Sequence, residues 1–307
     1  MPAIRKNNLL AKAIDNSVNF SFVLPAIAIF SIFYIYPFYD IFNLSLHEWN
    51  GISSYREFVG LANFKELMVD KIWWKSIWHA GFITIIALTF QNMLAFSLAL
   101  VCDRQIRLKK FYRTVFFIPP VLSEIVVGLI WQWILYAGTQ SGEHIGLLNY
   151  VLVKSGLPHL VNNWLSNPKT ALTCIALVHC WKGFGWGFII LLAGLQTIDS
   201  QLYEAARVDG AGSWKTFRHV TLPMMMPVIL VVIILTVLGS MQVFILIISM
   251  VGQGLGYHTE VPVTRILSSM MGTGRYGYAC AMGVSFGAIL ITISAAFKYL
   301  SNKTKQV

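Results

Sequence analysis

Six apolar stretches dominate the hydrophobic pattern. They occupy roughly residues 20–42, 77–101, 115–137, 171–195, 224–250 and 278–300, and about 20 such residues cross a bilayer's hydrocarbon as a helix. Each carries at most one Asp, Glu, Lys or Arg. The pattern predicts an all-α integral membrane protein with six transmembrane helices spread over residues 20–300. Residues 1–19 form an N-terminal segment and 301–307 a short tail. Pro25 and Pro37 lie in the first stretch and Pro119–Pro120 in the third; membrane helices tolerate proline but bend there. The first stretch is too long for a signal-peptide core and lacks a small-x-small cleavage site, so it reads as a retained helix.

Composition agrees. Of 307 residues, 56 % are hydrophobic and 12 % charged, too few charges to cover a soluble globule and too much apolar surface for a disordered chain. Lys and Arg split unevenly between the connections: 14 share a side with both termini and 8 lie on the other. The richer side is cytoplasmic, so both termini are expected inside. The net charge of +10 then reflects basic loops facing anionic lipid, not nucleic acid. Cys102, Cys174, Cys180 and Cys280 show no CxxC or metal-ligand spacing. There is no GxxxxGK[ST] phosphate loop and no histidine–glutamate helix motif.

One cytoplasmic connection, 196–223, stands apart. Residues 200–208 are good helix formers. Gly210 and Gly212 permit a turn, and Ser213 is placed to cap a second helix. Trp214, Phe217 and Val220 then recur on one face, before Pro223 opens the fifth span. The residues alone leave two readings open. One is an amphipathic connector lying on the membrane; the other is a compact knob that docks into a groove of a soluble partner.

The string EAARVDGAGSWKTFRHVTLPMMMP, Glu204 to Pro227, resembles the EAA loop of ABC importer permeases. Glu204, Ala205, Ala206, Asp209, Gly210, Ala211, Phe217, Leu222, Pro223 and Pro227 match its pattern. Three further segments resemble the sugar-permease branch, the maltose and glycerol-phosphate permeases: Gly60–Phe64 (GLANF), Phe116–Pro120 (FFIPP) with Trp131, and Leu195–Ile198 leading into Leu202–Glu204. The resemblance runs from the first span to the sixth. It implies the type I importer permease fold. It implies also that the short loop helix sits in a cleft of an ATPase subunit, with Glu204 in polar contact and Gly210 supplying the tight turn. The chain would then be half of a pore. Its partners would be a second, homologous permease in a heterodimer, two ATP-binding subunits and an extracytoplasmic sugar-binding protein. ATP and Mg would belong to the ATPase partners, with no cofactor or metal in this chain and no catalysis by it. The expected location is the plasma membrane of a bacterium or archaeon, the inner membrane in a Gram-negative cell.

Ionisable groups inside spans are functional candidates by default. Asp40 lies near the outer end of the first span, within reach of the interface. Glu124 follows the Pro119–Pro120 bend, and Lys182 lies in mid-span four. The residues leave open whether these two form a strut with each other or face a wet cavity. Positions matching substrate contacts of the sugar permeases are Glu124, then His179, Gly183 and Trp186, then Thr236, Ser240 and the Gln242 region. Glu and Gln suit hydroxyls, and Trp offers a flat face to a sugar ring; a neutral saccharide or polyol is the expected cargo. His179 by residue type also suits an interhelical hydrogen bond. Gly252, Gln253, Gly254 and Gly256 read as an outer loop near the pore mouth. The alternative is a self-contained secondary transporter or channel using Glu124 and Lys182; a membrane enzyme using Glu124 and His179 lacks a nucleophile–base spacing.

Overall fold

The computed structural model describes residues 20–104, 107–138, 145–252 and 256–304. The N-terminal segment 1–19, residues Gln253 and Gly254, and the last three residues of the tail lie outside the described residues. The chain divides into two compact units: Met1–Val69 with Ser269–Ser285, and Asp70–Ser268 with Phe286–Val307.

In the first unit, helix α1 (Phe20–Ser45) is the first span. It widens to a π turn at Ser31–Ile35 just before Pro37, where a tight α turn would set the pyrrolidine ring against the preceding carbonyls. Nearly all its side chains from Phe20 to Phe42 are exposed, as suits a helix bathed in lipid. Strands β1 (His47–Glu48) and β2 (Glu57–Phe58) pair antiparallel, His47 opposite Phe58. Gly60 adopts φ +57°, and helix α2 (Ala62–Val69) follows. Buried Asn63 donates from Nδ2 to the carbonyls of Ser45 and His47, both at 3.0 Å. That is the physical content of the Gly60–Phe64 segment: a turn that lets one amide tie off the end of α1. Asp40 pairs with Arg56 at 3.4 Å.

The second unit begins with α3 (Lys71–Asp103), capped by Asp70, whose carboxylate accepts from the Ile72 and Trp73 amides. Then come α4 (Lys109–Val121), α5 (Glu124–Ile134), α6 (Leu147–Lys154) and α7 (Ala171–Leu195). Helices α8 (Ser200–Val208), α9 (Ser213–Met241), α10 (Ile245–Val251) and α11 (Pro262–Leu267) complete it with the end of α12 (Tyr276–Thr304). The core lies where α3, α7 and α9 meet, around Ala95, Ala99, Phe184, Phe188, Leu191, Met225 and Val232. Small residues let these helices approach, the usual means of packing where lipid removes the hydrophobic drive. Gly194 leaves no spare room against Val228 and Met225. Gly185 admits Pro120 and the Phe116 carbonyl of α4.

Five helices among the described residues are long and apolar enough to span a membrane, and one bent pair makes up to six. Span four matches its expected limits of 171–195. Two expectations are corrected. The third span, expected as one helix over 115–137, is broken: α4 and α5 meet at 94°. Pro119 and Pro120 withdraw two ladder donors, and Leu122 and Ser123 turn extended. The fifth span, expected over 224–250, runs instead from Ser213 to Met241. Pro223 does not open it, because a π turn at Phe217–Thr221 carries the helix through. It stops at Gln242, and residues 245–251 form the separate α10.

Candidate functional site

Helices α7 and α9 form two walls of a cavity of about 350 Å³. Glu124, His179, Lys182, Gly183, Trp186, Thr236 and Ser240 all line it. The break in the third span explains the place of Glu124: it becomes the first residue of α5, where the helix N-terminus favours a carboxylate. Its carboxylate lies 3.6 Å from the Lys182 ammonium, so the two intramembrane charges pair and also border the cavity. His179 Nε2 meets Ser240 Oγ at 3.1 Å, joining α7 to α9. Trp186 is 56 % exposed and held edge-on by Phe117 at 5.4 Å between ring centres, leaving a broad aromatic face available. Gln242, the exposed C-cap of α9, stands outside the lining of this cavity.

One polar residue of the wall and the amide next to it escaped the sequence reading. Gln91 lines the cavity from α3, and its neighbour Asn92 accepts at Oδ1 from Thr236 Oγ1, 3.0 Å away. Two adjacent amides inside an apolar span were the available signal.

The loop between α7 and α9 is a helical hairpin. Asp199 caps α8 by accepting from the Gln201 amide at 2.9 Å. The other end closes in a Schellman motif: the Gly210 amide donates to Arg207 O and the Ala211 amide to Ala206 O, with Gly210 at φ +71°. Glu204, Ala205 and Asp209 are exposed, Ala211 half-buried, and Ala206 turns inward. Gly212, not Ser213, caps the second helix; Ser213 is its first residue. Tyr203 OH lies 3.3 Å from Thr221 Oγ1, tying the hairpin's arms together. Phe217 contacts Trp214 and reaches Phe96 on α3. Leu222 is half-buried and Pro223 exposed.

Residues 91–306 match the family described as "Binding-protein-dependent transport system inner membrane component". The chain is 31 % identical over 279 residues to a protein of Bacillus subtilis described as the probable ABC transporter permease YurN, covering 90 % of this chain and 93 % of that one. It is 27 % identical over 293 residues to the trehalose/maltose transport system permease MalF of Thermococcus litoralis, covering 95 % and 96 %. Its fold matches a bacterial alginate ABC transporter solved in complex with an alginate pentasaccharide-bound periplasmic protein, with a TM-score of 0.80, 22 % identity, and 96 % and 97 % of the two chains covered. This chain belongs to the family of inner-membrane components of binding-protein-dependent transport systems. The alternative of a self-contained ion-driven transporter or channel finds no support in these matches.

Proposed function

We propose that the chain, as a multi-pass permease of that family, is one half of the pore of an ATP-driven importer for a neutral saccharide or polyol. The observation that carries the reading is the cavity. It combines an exposed indole face, a charge pair that leaves no net charge, and a histidine–serine pair. Such a lining offers hydrogen bonds to hydroxyls and a platform for a pyranose, but no surplus charge to hold an ion. The trehalose and maltose cargo of the Thermococcus relative supports the same class.

The hairpin at 196–223 is the coupling element. Its exposed Glu204, Ala205 and Asp209 face an ATPase partner, while Gly210, Ala211, Phe217, Leu222 and Pro223 hold its shape. ATP and Mg bind on the two ATPase subunits, not here. A homologous permease completes the pore, and an extracytoplasmic sugar-binding protein delivers the cargo. Both termini face the cytoplasm, in the plasma membrane or the inner membrane of a Gram-negative cell. The test is a mild-detergent pull-down of the tagged chain from its native membranes, with subunit identification and an ATPase assay. Two ATPase copies, one different permease and ATP hydrolysis stimulated by sugar-loaded binding protein are expected. A lone or self-associated chain without ATPase would overturn the reading.

A further inference from the structure

Helix α3 changes winding at Ala87–Gln91, where one π turn replaces the α turn. Such turns insert a residue, shift the helical register and cluster at functional sites. Here the shift ends at two consecutive amides, Gln91 and Asn92. Gln91 is 6 % exposed and lies against α7 at Gly183, where a Cβ would come within 2.7 Å of its Oε1 and 2.9 Å of its Cδ. Glycine at position 183 leaves room for that amide where it lies; a larger residue would push it aside. Its Oε1 is buried without a hydrogen-bond partner, as is Asn92 Nδ2, whereas Asn92 Oδ1 is engaged by the cavity residue Thr236.

An orphaned polar atom inside a membrane protein is costly and calls for a partner. Gln91 lines the cavity, so a molecule held there can supply that partner once the amide turns toward it. We propose that Gln91 is a substrate-contacting residue on the second span, its terminal amide accepting a hydroxyl hydrogen from the carried molecule. Asn92 acts behind it as a positioning residue, fixing the π turn to α9 through Thr236. Nothing in the EAA loop or the proline-pair segment points to these amides. The assignment rests on the cavity being the saccharide site.

The test uses the complete transporter in proteoliposomes, with its ATPase subunits, partner permease and binding protein. Uptake of radiolabelled maltose, trehalose, lactose and sorbitol is measured, and the fastest is the working probe. Gln91→Met keeps the shape and removes the acceptor; Gln91→Glu keeps an acceptor. Gly239→Trp fills the cavity at a lining position with free space around it. Gln91→Met is expected to lower probe uptake at least five-fold, with a melting temperature no lower than the parent's, since it removes a buried unpaired acceptor. Gln91→Glu should restore uptake to within about three-fold of the parent, a rescue that a merely structural role would not produce. Undiminished uptake by Gln91→Met, while Gly239→Trp blocks it, overturns the role of Gln91 and leaves the cavity standing. Undiminished uptake by Gly239→Trp overturns the cavity reading itself. A parent complex that carries none of the four probes overturns the neutral-saccharide reading and this assignment with it.

Discussion

Gly210 separates backbone conformation from side-chain volume unusually cleanly. It sits at φ +71°, and a Cβ built there would meet nothing within 4 Å. Any cost of substitution is therefore the cost of the left-handed conformation. For alanine that is about 1–2 kcal/mol; for asparagine it is a few tenths, because its side chain satisfies the local backbone; for valine it exceeds the alanine value. The strain falls on the Schellman bonds from Gly210 to Arg207 and from Ala211 to Ala206. At tenfold per 1.4 kcal/mol, Gly210→Ala should speed local opening roughly 5- to 30-fold. Hydrogen exchange of the 209–211 amides in the detergent-solubilised complex reads this directly. Uptake should fall in the same order: Gly and Asn together, then Ala, then Val. A ranking by size would instead place Ala ahead of Asn. If Gly210→Ala exchanges and transports like the parent while Gly210→Asn does not, the conformational account of this turn is wrong.

Asn149 is fully buried; its Nδ2 donates to Tyr136 O and Asn162 O, and its Oδ1 accepts from Trp164 Nε1 at 2.7 Å. Asn149→Ala should cost about 3 kcal/mol by stranding these groups, seen as a lower thermal midpoint in detergent. Glu260, between α10 and α11, has a side chain only 9 % exposed. Burial pushes its carboxyl above the usual 4.5, with Asp70 adding to the push and Arg265 and Ser268 opposing it. A raised folded-state pKa means this group's contribution to stability is full below 4.5 and lost as pH rises through the raised value. Glu260→Gln should therefore raise the melting temperature at pH 8 and leave it unchanged at pH 4. Lys182→Met strands the Glu124 carboxylate beside the cavity; the double variant Glu124→Gln/Lys182→Met should melt higher than Lys182→Met alone. Phe217→Ala removes the ring contacts to Phe96 and Trp214, about 1 kcal/mol for an aromatic pair. It should lower sugar uptake several-fold more than ATP hydrolysis, measured on the same proteoliposomes.

The spans were legible because bilayer thickness dictates length and composition together; α7 ends where its apolar run ends. Helix breaks were less so. Pro119–Pro120 announced a bend, but not that it would reach 94° and convert Glu124 from a mid-span charge into a helix N-terminus. The π turn that carries α9 through Pro223 has no sequence mark of its own. It is held by contacts distant in the chain, Phe96 against Phe217 and Tyr203 against Thr221. Within the cavity, Glu124 and Lys182 stood out because charges are anomalous in lipid, whereas His179, Gly183, Trp186, Thr236 and Ser240 came from the sugar-permease resemblance. Gln91 and Asn92 were passed over because uncharged amides are ordinary glue between membrane helices.

The cavity and the hairpin share their supports, and this bears on how one can act on the other. Helix α7 carries His179, Lys182, Gly183 and Trp186 and ends at Leu195, about 14 Å below Trp186 at the helical rise. Helix α9 begins at Ser213 within the hairpin and carries Thr236 and Ser240 higher up. Seventeen residues, 196–212, join the two helices, and a capped helix with a Schellman end occupies the middle of them. A stiff segment of that kind cannot absorb displacement by local unwinding as a loose loop would. The π turn at Phe217–Thr221 lies in the path, and Tyr203 and Phe96 brace it there. Force applied to α8 would on this geometry reach both walls of the cavity, which the His179–Ser240 bond joins.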